Sequence, residues 1–321
     1  MDQPTKESVK QLTVLTNRSS NSGRAEVKGY KVSQLLTSLG HHVEHHLPDD
    51  IQQTYEMVQT AVAADQHIIA VGGDGFIHHI IQECAETPAT LGIVAAGTGN
   101  DFAFALGLPS PLEAAALAAI SPARDVDLLR CDGLDGHKRY GATIATAGFS
   151  AAVNIRADGM AWPRGSTRYT LATLLELARL PRYELDLVID GIGVDGSCLM
   201  VAIANTKAFG GGMQIAPNAD PTAGILDVVV VRDTSALSLL RMLPKTFKGR
   251  HLDHPAVEVR TGRCIQLGLR RPNHSAQLNL RSDGEDVGSL PQTVTVVPGG
   301  LRVAGASPLV PIAGEVKENT E

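Results

Sequence analysis

Two carboxylates, Asp74 and Asp101, each stand in a glycine-rich run that directly follows an apolar stretch. The first run is Gly72-Gly73-Asp74-Gly75 after His67-Ile68-Ile69-Ala70-Val71; the second is Gly97-Thr98-Gly99-Asn100-Asp101 after residues 90–95. Glycines let the backbone approach a ligand closely, and free N–H groups at a helix start favour phosphate. A bare carboxylate beside a polyphosphate is repelled, so the pattern calls for a cation between them. Magnesium is the usual bridge, because it takes oxygen ligands and keeps water and phosphate in its shell. Neither run is a P-loop, since no Gly-Lys-Ser/Thr follows and no lysine stands ready to cradle phosphate. Neither is a dinucleotide fingerprint, because Gly97-Thr98-Gly99 continues into Asn100, Asp101 and Phe102 without a third glycine. Hydride chemistry is disfavoured, and a nucleoside triphosphate with Mg2+ is favoured. The plainer alternative is that the aspartates merely cap the helices that follow them. Thr98 can donate its hydroxyl to a phosphate, but on pattern alone a turn threonine serves as well.

The elements that must position these residues follow from periodicity. Ile77, Ile80, Ile81 and Cys84 recur at helical spacing after the first loop. A short helix after Asp101 closes at Gly107, with Pro109 beyond it. Two carboxylates one β-α-β step apart can thus face one crevice at the carboxyl edge of a parallel sheet. Upstream, 12–16 reads as a strand, 17–24 as a turn, and Val32, Leu35, Leu36 and Leu39 as one helix face that stops at Gly40. Residues 41–47 carry four histidines in a strand pattern, whose alternation splits them between two faces and favours a solvated edge over a metal site. Ile51, Tyr55, Val58 and Val62 mark a further helix. Ser110-Pro111-Leu112-Glu113 reads as a capping box opening a helix to Ile120. Strands and helices alternate this far, the pattern of a doubly wound α/β domain.

From about Asp125-Val126-Asp127 the chain becomes mostly strands: 183–189, 198–204, 225–231, 256–260, 264–269, 277–280 and 293–297. Helices are expected over 167–180 and 235–247. The expectation is an α/β nucleotide-binding domain over 1–127 and a β-sandwich substrate domain over 128–298.

The 321 residues are 43% hydrophobic, with mean hydropathy near zero, enough for a large core. With 28 basic against 34 acidic residues, a net charge of −6 and 4% aromatics, nucleic acid is not an expected partner. No apolar run approaches the roughly 20 residues that cross a bilayer. The first ten residues are polar without a signal-peptide pattern, and Cys84, Cys131, Cys198 and Cys264 are scattered, as in a reduced cytoplasmic protein.

The ordered set of motifs resembles the diacylglycerol and sphingosine lipid kinases and their bacterial relatives. VGGDGFIHHIIQE resembles the family's GGDGT-type nucleotide loop, and LGIVAAGTGNDFAFALGLP its GTxNDFAR-type stretch. Leu15-Thr16-Asn17 with Ser22-Gly23-Arg24 resembles the opening Asn-Pro…Ser-Gly turn without its proline, and Arg281-Ser282-Asp283-Gly284-Glu285 the late Asp-Gly-Glu. The resemblance spans about 10–305 and implies that the tail from 299 to 321 returns to the first domain.

It further implies an ATP- and Mg2+-dependent kinase acting on a hydroxyl of diacylglycerol or a related lipid. ATP would lie on Asn17, Gly72, Gly73, Asp74, Gly75, Phe76, Gly97, Thr98 and Gly99. Asp74, Asp101 and Asp127 would organise the metal, and Glu285, with Asp74, would serve catalysis. Asp127 by itself could equally be an ordinary strand-end aspartate. Ser-Asp-Gly-Glu-Asp by itself favours a surface hairpin; the resemblance makes Glu285 the base that takes the acceptor's proton. Phe76 stands where the family has a hydroxyl and Phe104 where it has arginine, so a weakened or non-catalytic relative is one alternative. An NAD kinase-like enzyme is another.

Gly210-Gly211-Gly212 marks backbone close to a ligand or a neighbouring strand. At 213–227 the family holds a structural magnesium with an Asp-Gly turn; here the turn is Ala223-Gly224, which empties that site unless Asp220 substitutes. Trp162 reads as a packing residue. Lys245, Lys248 and Arg250 either meet anionic lipid or, the preferred reading, complement a helix dipole. A transient peripheral contact with the inner membrane face and a homodimer complete the expectations.

Overall fold

The computed structural model describes residues 9–18, 23–160, 171–172, 175–176, 185–269 and 278–306. Its first part alternates as the periodicity requires: β1 (Gln11–Thr16), α1 (Arg24–Ser38), β2 (His42–His46), α2 (Ile51–Ala63), β3 (His67–Gly72), α3 (Asp74–Cys84) and β4 (Thr90–Ala95). Two short helices follow, α4 (Asp101–Ala105) and α5 (Leu112–Ala118). The four strands lie parallel in the order β2-β1-β3-β4.

Successive strand residues take opposite faces. Ile68 and Ala70 pack with Val58, Ile77 and Ile80 of α2 and α3, while Ile69 and Val71 pack with Val32 and Leu36 of α1 and Ala115 and Ala116 of α5. Helices therefore cover both faces, and the strand order reverses between β1 and β3. In such sheets the crevice outside the carboxyl ends at that reversal takes the ligand.

The second part contains β5 (Ala123–Gly133), β6 (Lys138–Gly141), β7 (Ile144–Gly148), α6 (Phe149–Asp158), β8 (Leu185–Ile189), β9 (Ile192–Val194), β10 (Cys198–Ala204) and β11 (Leu226–Arg232). Then come α7 (Ala236–Thr246), β12 (Val257–Gly262), β13 (Cys264–Leu269), β14 (Asn279–Ser282), β15 (Glu285–Ser289) and β16 (Gln292–Ala304). An antiparallel sheet β12-β11-β10-β7-β14-β15 packs against strands of the larger sheet, with Val201, Ile203, Val228 and Leu280 facing Leu187, Ile189, Ile265 and Val294. This is a β-sandwich, fed by α/β strands on one side. β16 is the joint: it pairs antiparallel with β13 and β5, and its end runs parallel to β4 through Arg302 opposite Thr90 and Val303 opposite Leu91. The register slips between Val297 and Leu301, where Gly299 takes a left-handed φ of 61°. The boundary expected after Asp127 falls inside β5, which runs through it without a break.

Several local expectations need correction. Ser110 caps nothing: α5 starts at Leu112, the N-cap position is Pro111, and no side chain bonds to the helix end. β6, β7, β9, β15 and α6 had no clear sequence signal. In β7, Ile-Ala-Thr-Ala-Gly is buried at all five positions, so it has no polar alternation to show. The histidines near β2 are ordinary packing groups: His41 accepts from the Lys10 N–H, and His45 bonds Thr16 at 3.0 Å. Trp162 and most of the helix expected over 167–180 lie outside the described residues; 171–172 and 175–176 are helical. Cys84, Cys131 and Cys198 are buried free thiols, and burial pushes Cys84 up to about 12. Among the described residues no helix is long and apolar enough to cross a membrane.

Candidate active site

The two glycine loops touch because each is short and β3 and β4 are neighbours. Ala96 N–H donates to Gly72 O at 2.7 Å, and a Cβ on Gly97 would meet Gly73 Cα at 2.5 Å. Only glycine fits at that approach. Asn17, at the end of β1, donates its N–H to Val71 O at 3.1 Å and so lies at the same edge.

Asp74 and Asp101 do not cap their own helices. Asp74 reaches across to the second loop, where Oδ2 accepts from Asn100 N–H at 2.6 Å and Oδ1 from Phe102 N–H at 3.4 Å. Asn100 can present its N–H because it adopts the left-handed conformation, φ 59°, which asparagine tolerates. Asp101 accepts from Gly210 N–H at 2.7 Å and Gly211 N–H at 3.1 Å. Gly210, Gly211 and Gly212 all have positive φ, a backbone nest that points N–H groups at an anion. What these glycines approach is therefore a carboxylate of the first domain rather than a strand.

A Cβ on Gly99 would meet Asp74 Oδ2 at 2.8 Å and Asp101 Oδ2 at 3.6 Å, so both carboxylates look into one space that only glycine leaves open. Burial, and then Asp101, push Asp74 above the usual carboxylate range; burial likewise raises Asp101 against the pull of the Gly210–Gly212 amides. Two oxygen donors, crowded and mutually repelled, suit a hard divalent cation that keeps part of its water shell.

The third acidic group arrives from the far end of the chain. Ser282 pairs with Glu285 across a two-residue turn in which Asp283 and Gly284 both have positive φ, 55° and 89°, the tight hairpin that such residues favour. The turn lies on the first turn of α3, and a Cβ on Gly75 would meet Glu285 Oε1 at 3.0 Å. Tyr55 and His79, bonded to each other at 3.0 Å, both feel the Glu285 charge. The structure thus brings Asn17, the glycine loops, Asp74, Asp101 and Glu285 to one edge, with Thr98 exposed on it.

Asp283, read from sequence only as a turn residue, anchors this arrangement. Its carboxylate is buried and accepts from Ala142 N–H at 2.8 Å, Thr143 N–H at 2.7 Å and the Thr143 hydroxyl at 2.5 Å, beside His78 Nδ1 at 3.0 Å. Burial alone would raise it, but His78, Thr143 and Ala142 outweigh that and hold it below the usual range. Its only sequence signal was an aspartate before glycine. Lys28 was also missed: from α1 its ammonium reaches Ala95 O at 3.2 Å, placing a cation at the base of the second loop.

Three expected site residues sit differently. Asp127 is buried, and its carboxylate accepts from Gly224 N–H at 2.6 Å and Gly299 N–H at 2.8 Å. It ties the 220–224 turn and the β16 bulge to β5, and no contact joins it to Asp74 or Asp101. Asp220 is turned inward on its own loop, accepting from Thr222 at 2.9 and 2.7 Å. Phe76 does not face phosphate: its ring is 8% exposed, belongs to the core with Ile77 and Ile80, and lies over Gly72, whose Cβ would meet it at 2.6 Å. Phe104, by contrast, is 76% exposed.

Comparison with known proteins identifies both parts of the chain. Residues 11–131 match the family described as the diacylglycerol kinase catalytic domain, and 143–305 the YegS C-terminal NAD kinase beta sandwich-like domain. A Mycobacterium tuberculosis (strain ATCC 25618 / H37Rv) protein named diacylglycerol kinase is 35% identical over 296 residues, 91% of this chain and 94% of that one. The chain belongs to the diacylglycerol kinase and YegS-like lipid kinase family. A Stenotrophomonas maltophilia (strain K279a) member, named "Probable lipid kinase YegS-like", is 30% identical over 74% of this chain and 77% of its own. A solved structure from Bacillus anthracis str. Sterne, named a diacylglycerol kinase, shares the fold with TM-score 0.68, 17% identity and coverage of 93% and 97%. Family membership makes this protein a lipid kinase, a transferase with a nucleotide substrate. The Asp-Gly-Glu turn of this lipid kinase thus comes from the sandwich lobe and its glycine loops from the α/β lobe.

Proposed function

We propose that the protein is an ATP- and Mg2+-dependent kinase that transfers the γ-phosphate to a hydroxyl of diacylglycerol or a closely related lipid. The convergence of Asp74 and Asp101 on one space, with Glu285 against the same helix start, carries the reading. Asp74 and Asp101 would hold the metal, which supplies charge neutralisation to the phosphates when bound. The N–H groups at the start of α3, the Thr98 hydroxyl and the Lys28 ammonium hold the phosphate oxygens in place. Glu285 takes the proton of the lipid hydroxyl as its oxygen bonds to phosphorus, and ADP leaves. A lipid alcohol is a poor nucleophile at neutral pH, which is why a carboxylate at that point helps.

Labelled ATP with and without Mg2+, offered to diacylglycerols, sphingoid bases and NAD, tests the reading directly. Label is expected in the diacylglycerol fraction only with Mg2+. Label in NAD instead, or none in any lipid, defeats it. Glu285→Gln should lower kcat at least about a hundredfold while ATP affinity, read by calorimetry, stays within about threefold. Collapse of ATP affinity in that variant would move Glu285 to the nucleotide site.

A further inference from the structure

α7 carries more on its outer face than helix-dipole complementation explains. Its inner face is ordinary: Leu239 and Met242 pack against Ala202, Val229 and Val231. On the outer face Leu237, Leu240 and Phe247 are 54%, 43% and 52% exposed, with Pro244 exposed among them. The 237, 240, 244, 247 spacing makes one stripe along the helix. Arg241, Lys245 and Lys248 form the adjacent stripe, and Arg250 follows at the end; all four are exposed. Arg241 lies in mid-helix, where the dipole offers it nothing. From 234 to 252 there are four basic residues and no acidic one, in a chain whose net charge is −6. Beside the basic stripe, a cleft of about 380 Å³ is lined by Ser235, Ser238, Arg241, Lys245 and His254 together with the apolar Leu237 and Met242. The Ser238 hydroxyl is bonded to His254 Nε2 at 2.8 Å within it.

The geometry points to α7 as a docking surface for an anionic phospholipid bilayer, with Leu237, Leu240 and Phe247 entering the acyl boundary and the basic stripe meeting lipid phosphates. The charge of the stripe is opposite to that of the partner and to that of the chain as a whole. Leu240 and Phe247 stand exposed on the helix, and a bilayer accepts such side chains at any rotation. Arginine and lysine stems can lie along the same apolar layer while their charged ends reach the headgroups. The cleft beside them, with Arg241 and Lys245 on its wall, is of a size to admit one phosphate headgroup. This goes beyond the kinase reading and does not need it to be right.

Cosedimentation of the full chain, without nucleotide, with vesicles of equal parts phosphatidylglycerol and phosphatidylcholine tests the surface. Binding is expected that weakens with salt and is at least about tenfold weaker to pure phosphatidylcholine. Arg241→Glu with Lys245→Glu, and separately Leu240→Ser with Phe247→Ser, should each reduce binding about tenfold or more at an unchanged melting temperature. These side chains are exposed, so the variants fold, and a catalytically inactive protein would still give the result. Unchanged binding in both pairs, or equal binding to the neutral vesicles, overturns the proposal. So does intact vesicle binding together with lost retention on polyglutamate beads in the charge-reversed pair, which would assign the face to an acidic protein.

Discussion

The carboxylates of the loop edge and the carboxylate of the β14–β15 turn are all withdrawn from water, yet their acidities move in opposite directions. Asp74 is raised by burial and then by Asp101, and Asp101 by burial and by the more distant Asp283; Asp283 is buried more deeply and still lowered. The difference lies in the donors. Asp283 has His78, two backbone N–H groups and a hydroxyl around it, so its charge is fully met inside the protein. Among the described residues, Asp74 and Asp101 each hold backbone N–H groups but no cationic side chain. One region is finished as it stands and fixes the position of Glu285. The other carries surplus negative charge and gains from a cation brought in from outside.

The contrast can be broken most severely at Asp283. Asp283→Asn should cost about 3–5 kcal/mol of stability in urea unfolding, because His78 and the donors of 142–143 lose their anion. It is held below its ordinary value of 3.8, so its contribution is complete above that value and is lost as pH falls through the lowered one. The raised pair runs the other way. Its penalty develops as pH rises from 3.8 through the raised values, and acid relieves it.

Phe76→Thr comes next, a loss of about 3 kcal/mol read as a lower melting temperature, with no gain in ATP affinity, since the ring fills the core over Gly72. Tighter ATP binding there would return Phe76 to the phosphate site. Asp74→Asn should then lower kcat/KM by more than about a hundredfold, or about 2.7 kcal/mol. In metal-free buffer at neutral pH the same variant should melt no lower than the parent, the outcome that separates surplus charge from structural charge. The smallest effect is at Lys28: Lys28→Met should weaken ATP about tenfold, near 1.4 kcal/mol, by titration calorimetry. An unchanged affinity would leave Lys28 as a clasp on Ala95 O only.

Much of the site was readable in advance because it is made of local signals. Strand-loop-helix order, the adjacency of two glycine loops and the hairpin at Asp283-Gly284 all follow from short-range periodicity and turn chemistry. The same holds for the alternating first half, where helices pack back on the strands that precede them. β7 was missed because a stretch buried all round shows no period.

What a carboxylate does was decided only by the folded chain. Asp74, Asp101, Asp127 and Asp283 are the same side chain, and the residues beside each in sequence do not say which donors will meet it. Gly210 and Gly211 come to Asp101, Gly224 and Gly299 to Asp127, and His78 and Thr143 to Asp283, each from a distant segment. Phe76 shows the same limit: its place beside the loop was local, while the direction of its ring was set by the space between α3 and the sheet. Sequence fixes backbone conformation through neighbours along the chain. Burial and donor supply, which set charge, acidity and metal affinity, depend on neighbours across the fold, and those exist only once the two lobes close on one another.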